Sequence, residues 1–386
     1  MDPFEFNTTK SIVFRPSASA ELADISGSLL GANVLFITDP GLRKLGLCNN
    51  ALASLEAAGI AVTVFDQVEP DPSQATLKAA LAAGDAAEVT GVVGFGGGSS
   101  LDIAKVAALL LGSREDLDKA WGVGVAKGPR MPLVLIPTTS GTGSEVTPVS
   151  IITVGTEEKR GISSPILLPD IAILDAELTL DLPSAITAAT GVDAIVHAIE
   201  AYASANCNNN PLSKALAREA LRLLGANIET VVAEPGNVEA RGAMLLGSML
   251  AGQAFANSPV ASVHALAYPI GGTFHVPHGL SNALVLPHVL RFNAPVAYAT
   301  YAEIAADAFP HLAEVEGAKD RCAALIDALA GLSNRLGLQT RLREVGIPKS
   351  ALEKMAADAM LQTRLLVNNP RAMSEQDVLK IYEAAW

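Results

Sequence analysis

The chain has 386 residues, of which 50% are apolar and only 4% aromatic. This length exceeds what a single hydrophobic core usually fills, so two domains are expected. The 27 Lys and Arg residues against 40 Asp and Glu give a net charge of −13, so neither nucleic acid nor an anionic membrane surface is expected as a partner.

The first residues and the cysteines indicate the compartment. No apolar run reaches the roughly 18 residues that span a bilayer, and the start MDPFEFNTTK lacks the basic and apolar regions of a signal peptide. We therefore set residues 1–10 aside as a vector-derived leader and expect a cytoplasmic protein. Cys48, Cys207 and Cys322 are odd in number and widely spread, which predicts reduced thiols that serve as small core fillers.

The first half of the chain alternates short β-branched runs with helical patterns. Candidate strands cover 33–38, 61–65, 91–95 and 132–137, and patterns such as NALASLEAAG and QATLKAALAAGD between them predict helices. Such alternation predicts a parallel sheet with its ligand crevice at the carboxyl ends of the strands. We assign residues 11–180 to an α/β dinucleotide-binding domain.

A glycine turn follows the third candidate strand in GVVGFGGGSSLDIAK. The glycines, Gly97 and Gly98 among them, would let the backbone approach a pyrophosphate, and Ser99 or Ser100 could cap the helix that follows. A tight strand-to-helix turn also requires glycine for steric reasons alone. The segment PTTSGTGSEVT (137–147) is a second loop of small residues after a strand, and two such loops favour a nucleotide site.

Asp39 ends the first candidate strand. Its carboxylate could bind an adenosine ribose and repel the additional phosphate of NADP, which would favour NAD. It could equally form an Asx turn with Pro40 and Gly41. The residues alone leave both interpretations open.

From residue 181 to 386 the pattern is helical, which predicts an all-α second domain. In TAATGVDAIVHAIEAYA, Asp193 and His197 are four residues apart and share one helix face with Glu200, so both could reach a single ion. A capping or ion-pairing role for Asp193 fits this pair about as well. The boundary falls near DAELTLDLP (175–183), without a flexible tether, so the domains are expected to pack around a cleft.

A second histidine cluster makes metal binding the better interpretation. HALAYPIGGTFHVPHG carries His264, His275 and His278 on a helix that runs into a sharply turned loop. Histidine and carboxylate suit Fe(II) and Zn(II) alike, so these residues alone do not choose between the two metals. His275 is slightly favoured as a residue lining the site, and His288 and His311 are expected to be structural and hydrogen-bonded.

Four segments together resemble the iron-containing (group III) alcohol dehydrogenases, a family related in fold to dehydroquinate synthase: GGGSSLDIAK, PTTSGTGSEVT, AATGVDAIVHAIE and HALAYPIGGTFHVPHGLSNALVLPHVLRFN. The resemblance implies a nucleotide-binding α/β domain, a helical domain and a divalent metal between them. It also implies a homodimer or larger homo-oligomer. Its implied metal ligands are Asp193, His197, His264 and His278, and its implied cofactor residues are Asp39, Asp71, Gly97, Gly98, Ser99, Asp102, Thr138, Thr139, Thr142 and Lys159.

The sequence departs from the family pattern in three places. Asp71 stands where asparagine is usual, and Tyr268 replaces a frequent histidine beside the nicotinamide. Arg15 and Pro16 stand where glycine is common, and we have no functional account of this. The second departure leaves the proton relay open between Tyr268 and His275, which are the candidate catalytic residues.

The expected function is metal-dependent, NAD-linked interconversion of a small primary or secondary alcohol with its aldehyde or ketone. Alternatives within the fold are reduction of an oxoacid, maleylacetate-like or a semialdehyde, and transhydrogenation with tightly bound NAD. A noncatalytic nucleotide-binding assembly protein is a further, weaker alternative, because the full ligand set is retained.

Overall fold

The computed structural model describes residues 3–155 and 158–386. The contacts within the chain divide it into two compact units. The sheet unit holds Asn7–Thr139 and Gly143–Leu180, and the helical unit holds residues 3–6, Ser140–Thr142 and Asp181–Trp386.

Strands and short helices alternate along the sheet unit. The strands are β1 (Ser11–Phe14), β2 (Asn33–Ile37), β3 (Ala61–Phe65), β4 (Gly91–Gly96), β5 (Gly122–Val123), β6 (Leu133–Pro137), β7 (Val149–Val154), β8 (Glu158–Ser163) and β9 (Ile171–Leu174). The helices are α1 (Leu22–Leu30), α2 (Pro40–Leu45), α3 (Asn49–Ala57), α4 (Gln74–Ala86), α5 (Gly98–Ser113) and α6 (Leu117–Ala120).

The main sheet runs in the order β1-β9-β6-β4-β2-β3, and every neighbouring pair in it is parallel. From β2 the chain adds β3 on one side and β4, β6 and β9 on the other. The order therefore reverses between β2 and β4, which is the topological switch point where doubly wound folds bind ligands at the carboxyl ends of the strands.

The four candidate strands are confirmed as β2, β3, β4 and β6, with bounds within one residue of those predicted. The sequence analysis missed β1 and β9, which have only four residues each and extend the main sheet. It also missed the second sheet, ordered β5-β8-β7. The segment EKRGIS of β8 lacks an alternating apolar pattern, so the periodicity that identifies strands is missing there.

The helical unit is built from long helices around a continuous apolar core. The helix α7 lies at its centre, because almost every residue from Thr187 to Tyr202 is buried. No helix in the described ranges is both long and apolar enough to cross a bilayer. The helices are α7 (Ser184–Ala203), α8 (Pro211–Ala233), α9 (Val238–Asn257), α10 (Ser262–Phe274), α11 (His278–Ala308), α12 (Ala318–Arg335), α13 (Leu352–Met360), α14 (Thr363–Leu366) and α15 (Glu375–Ala385).

Glu5, one of the residues set aside as a leader, exchanges two hydrogen bonds of 2.8 and 2.9 Å with Asn208, and the origin of residues 1–10 stays a prediction. One expectation about the cysteines needs correction. The three cysteines are free thiols, as expected, but Cys207 is exposed and cannot be a core filler. It lies in the turn before α8, between Asn206 and Asn208.

Candidate active site

Four side chains of the helical unit converge on one point. They are Asp193, His197, His264 and His278, and one ligand atom from each lies within 4.8 Å of the other three. The sequence analysis selected these same four residues, and the structure brings all of them together. A set of one carboxylate and three imidazoles is chemically suited to a divalent transition metal.

Three helices place these ligands. Asp193 and His197 lie one turn apart on the central helix α7, as the spacing predicted. His264 lies in the first turn of α10, and His278 is the first residue of α11. Because the carboxylate and the first two imidazoles are more than nine-tenths buried, the helical core fixes their positions.

Hydrogen bonds to Nδ1 fix which nitrogen of two imidazoles faces the cluster. His197 Nδ1 lies 3.2 Å from the carbonyl oxygen of Gly141, and His264 Nδ1 lies 2.7 Å from Glu200 Oε2. Both partners are acceptors, so each Nδ1 carries the proton and each Nε2 keeps a lone pair. This is how metal-binding histidines are commonly oriented.

The amide of Asn282 shows that the cluster has a surplus of acceptors. Its Nδ2 atom lies 2.6 Å from Asp193 Oδ1 and 3.3 Å from Nε2 of both His264 and His278. Two N–H groups cannot serve three acceptors. The Oδ1 atom of the same amide is buried and has no hydrogen-bond partner among the described residues. A cation can be shared by all of these acceptors as two N–H groups cannot, so the residues present fit a divalent metal.

The electrostatics agree with this fit. Burial lowers the pKa of His197 to about 3, so this imidazole is neutral near pH 7 and can bind a metal. Burial alone would raise the pKa of Asp193, but the three imidazoles and the hydrogen bond from Asn282 lower it overall. Asp193 is therefore an ionised ligand at neutral pH.

The cluster is accessible on the side of His278, whose side chain is 45% exposed. The ring of Tyr268 lies 6.2 Å from the His278 ring, centroid to centroid, and its hydroxyl accepts a hydrogen bond of 3.2 Å from Arg364. His275 is exposed and ends α10 in a left-handed conformation with φ of 55°. Of the two candidate relay residues, Tyr268 is thus the one whose ring lies beside a predicted metal ligand, His278.

Three of the predicted cofactor segments follow the carboxyl ends of neighbouring strands of the main sheet. Gly96 at the end of β4 pairs with Pro137 at the end of β6, and the amide of Thr138 donates to the carbonyl of Gly96. The glycine turn after β4 and the loop after β6 (137–147, called the threonine loop below) therefore begin next to each other. Asp39 follows β2 on the other side of β4, at the switch point.

The prediction that Ser99 or Ser100 caps α5 is wrong. The helix begins at Gly98 with Gly97 as its N-cap, and within the described residues no side-chain cap accepts from its first-turn amides. The cap therefore lies two residues before Ser99, and Gly96, just before it, has a φ of 147° that glycine adopts readily. The first-turn amides remain uncapped by side chains, which favours binding of an anionic group there.

Asp39 is the N-cap of α2, where its Oδ1 accepts a hydrogen bond of 3.0 Å from the amide of Leu42. This supports the turn-forming role that the sequence left open. The side chain is partly exposed, and its contact with a coenzyme stays a prediction.

The remaining cofactor candidates form ion pairs within the sheet unit. Asp71 has a φ of 55° and its Oδ1 lies 2.7 Å from Lys159 Nζ. Asp102 accepts from Ser144 Oγ at 2.6 Å and from the amide of Ile151 at 2.9 Å, so it links α5 to the threonine loop and β7. The cofactor role of these three charged residues stays a prediction.

Sequence reasoning missed two groups that complete the metal cluster. Asn282 lies four residues after His278 on α11, so helical spacing could have identified it. Gly141 could not have been found, because its role depends on a backbone carbonyl. A Cβ at Gly141 would lie 2.7 Å from Thr190 Cβ, so only glycine brings this carbonyl close to α7.

Two family models and several known proteins are similar to this chain. A family model described as iron-containing alcohol dehydrogenase matches residues 9–176, and one described as Fe-containing alcohol dehydrogenase family, C-terminal, matches residues 187–386. Long-chain-alcohol dehydrogenase 1 of Geobacillus thermodenitrificans is 42% identical over 364 residues, which cover 92% of this chain and 90% of that protein.

Two solved structures are similar over nearly their whole length. A 1,3-propanediol oxidoreductase has a TM-score of 0.95 at 35% identity and covers 100% of both chains. A sulfoacetaldehyde reductase from Bifidobacterium kashiwanohense, in complex with NAD+, has a TM-score of 0.87 at 29% identity and covers 99% of this chain and 98% of that one.

Proposed function

Because the chain belongs to the iron-containing alcohol dehydrogenase family, we propose that it is a metal-dependent, NAD-linked enzyme that interconverts a small primary or secondary alcohol with its aldehyde or ketone. The observation that supports this most is the buried cluster of one carboxylate and three imidazoles. The coenzyme assignment is supported by the similar reductase that was solved with NAD+.

Asp193, His197, His264 and His278 would hold the metal, and the family description favours iron while giving no support to zinc. An ion held there would supply Lewis acidity, and a bound nicotinamide coenzyme would supply the hydride acceptor or donor. The buried ligands keep the site rigid, because their helices are fixed in the apolar core. The substrate would approach on the exposed side of His278.

For the coenzyme, the loops that follow β4 and β6 would bind the pyrophosphate. The uncapped amides of α5 offer positive potential, and the carboxyl ends of the two strands lie side by side. In this proposal the cofactor residues are Asp39, Asp71, Gly97, Gly98, Ser99, Asp102, Thr138, Thr139, Thr142 and Lys159.

The direct test measures NADH formation by iron-reconstituted protein with a panel of primary and secondary alcohols, and NADH oxidation with the corresponding carbonyl compounds and with oxoacids. We expect turnover that a chelator removes. Turnover restricted to oxoacids, or hydride exchange between alcohol and carbonyl without added NAD, would support the reductase or transhydrogenase alternative instead. Absence of any turnover across the panel would contradict the proposal. The homodimer or larger homo-oligomer stays a prediction.

Gly97→Ala tests the pyrophosphate site without disturbing the fold. An added Cβ would meet only Thr139 Cγ2 and Oγ1, at 3.6 and 3.7 Å, which are ordinary contacts. We therefore expect an unchanged melting temperature and a KM for NAD raised about tenfold or more, because the methyl group blocks close approach of the phosphates. An unchanged KM would show that the coenzyme does not approach this turn.

Asp39→Asn separates the capping role from the coenzyme role. Asparagine caps helices as well as aspartate does, so stability should hold. Loss of the charge removes a repulsion from the additional phosphate of NADP worth roughly 1–4 kcal/mol at 4 Å. We expect the ratio of kcat/KM for NADP to that for NAD to rise about tenfold. A folded variant with an unchanged ratio would leave Asp39 as a helix cap only.

The proton relay is proposed to run through water and Tyr268, with His275 as the alternative. Tyr268→Phe should lower kcat about 100-fold and alter its pH profile, as loss of a general acid or base does. His275→Asn removes the imidazole but suits the left-handed backbone, so it should leave kcat nearly unchanged. The reverse pattern in the two variants would transfer the relay to His275.

A further inference from the structure

Glu200 is buried behind the metal cluster, with 5% of its surface exposed, and its carboxylate accepts from three donors. The amide of Val263 donates to Oε1 at 2.6 Å, and the amide of Ala261 donates to Oε2 at 3.0 Å. His264 Nδ1 donates to Oε2 at 2.7 Å. A single side chain of α7 thus binds both the start of α10 and the imidazole in its first turn.

The helix α10 needs this partner because it has no cap of its own. Its N-cap residue is Ala261, which has no side-chain acceptor. Glu200 supplies the missing acceptor from another helix, and its negative charge lies at the positive end of the α10 dipole.

We propose that Glu200 is a positioning residue that couples the placement of α10 to the tautomer of His264. The carboxylate only accepts, so the imidazole proton stays on Nδ1 and the Nε2 lone pair faces Asp193, whose Oδ1 lies 4.0 Å away. This inference rests on the metal site proposed above. It adds that one buried carboxylate on α7 sets both the position and the tautomer of a metal ligand on α10.

The simpler interpretation is that Glu200 only caps α10 and has no effect on His264. The two interpretations predict different effects of replacing Glu200 on the His264 tautomer and on metal affinity. Glu200→Leu has a similar volume, keeps water out and removes the acceptor. Glu200→Gln can keep its oxygen on Ala261 and His264 while losing the bond to Val263. Asn237→Ala is the matched control, because Asn237 caps α9 by accepting from Ala240 at 3.0 Å, away from the cluster.

The experiment measures two quantities for each variant. The His264 tautomer is read by NMR of isotope-labelled histidine in metal-free protein, and affinity is read by titration with Co(II), a spectroscopic substitute for iron. We expect Glu200→Leu to populate the Nε2–H tautomer and to bind Co(II) about 10- to 100-fold more weakly. Glu200→Gln should keep the Nδ1 proton and lose affinity only several-fold. Asn237→Ala should lose stability alone.

Wild-type affinity in Glu200→Leu together with a retained Nδ1 proton would overturn the inference. If that variant does not fold, Glu200→Gln decides, and affinity equal to wild type would overturn it. Wild-type protein that binds no metal would instead refute the proposed function. The tautomer in the metal-free variants would then still show whether Glu200 fixes it.

Discussion

Replacing His264 with alanine is expected to abolish metal binding and turnover together. The imidazole is one of four ligands, its Nε2 faces the cluster, and among the described residues no histidine other than His197, His264 and His278 belongs to the cluster. Losing the metal removes several kcal/mol of transition-state stabilisation, so kcat/KM should fall about 1000-fold or more. Metal content and turnover should be measured on the same sample.

His311→Ala is the matched control for this variant. His311 is exposed, its ring centroid lies 6.1 Å from that of Phe309, and it does not belong to the cluster of four ligands. It should keep full metal content and activity. A His264→Ala protein that is active without metal would refute the ligand assignment.

Gly279→Ala is expected to have the largest effect on stability near the site. A Cβ at this position would lie 2.2 Å from the carbonyl oxygen of Ala189 and 3.3 Å from Asp193 Cβ. The first of these contacts is with backbone, so no rotamer change relieves it and α7 and α11 must move apart. We expect the metal-free protein to lose about 1–3 kcal/mol or more in urea unfolding.

The same movement should weaken metal binding, because Asp193 lies on α7 and His278 lies next to the substituted glycine on α11. Gly272→Ala is the control within the same sequence motif. No atom outside its own helix lies within 4 Å of a Cβ built there, so alanine should be neutral or slightly stabilising in α10. Equal stability and metal affinity of the two variants would show that the α7–α11 contact is not tight.

The sequence predicted those parts of the site that depend on local periodicity. Asp193 and His197 follow from helical spacing, and the turn before His278 follows from its proline and glycine residues. That α10 and α11 bring their histidines to α7 depends on long-range packing. The resemblance to a known family indicated this contact, and no local pattern could.

Other features failed to appear in the sequence for identifiable physical reasons. The start of α5 depends on the backbone conformation of Gly96, so a rule based on side-chain caps placed the cap on the wrong residues. The bond from His197 to the carbonyl of Gly141 involves no side chain of the second residue. The sequence placed Glu200 on the same helix face as Asp193 and His197. Its capping of α10 could not be predicted, because it depends on how α7 and α10 pack together.

The most direct test of the account is an anaerobic Fe(II) titration of metal-free protein, with bound iron and NAD-dependent alcohol oxidation measured at each point. We expect one iron per chain at saturation and activity that rises in proportion to bound iron, because the four buried and half-exposed ligands form a single site. Full activity before any iron is added, or iron that binds without restoring activity, would contradict it.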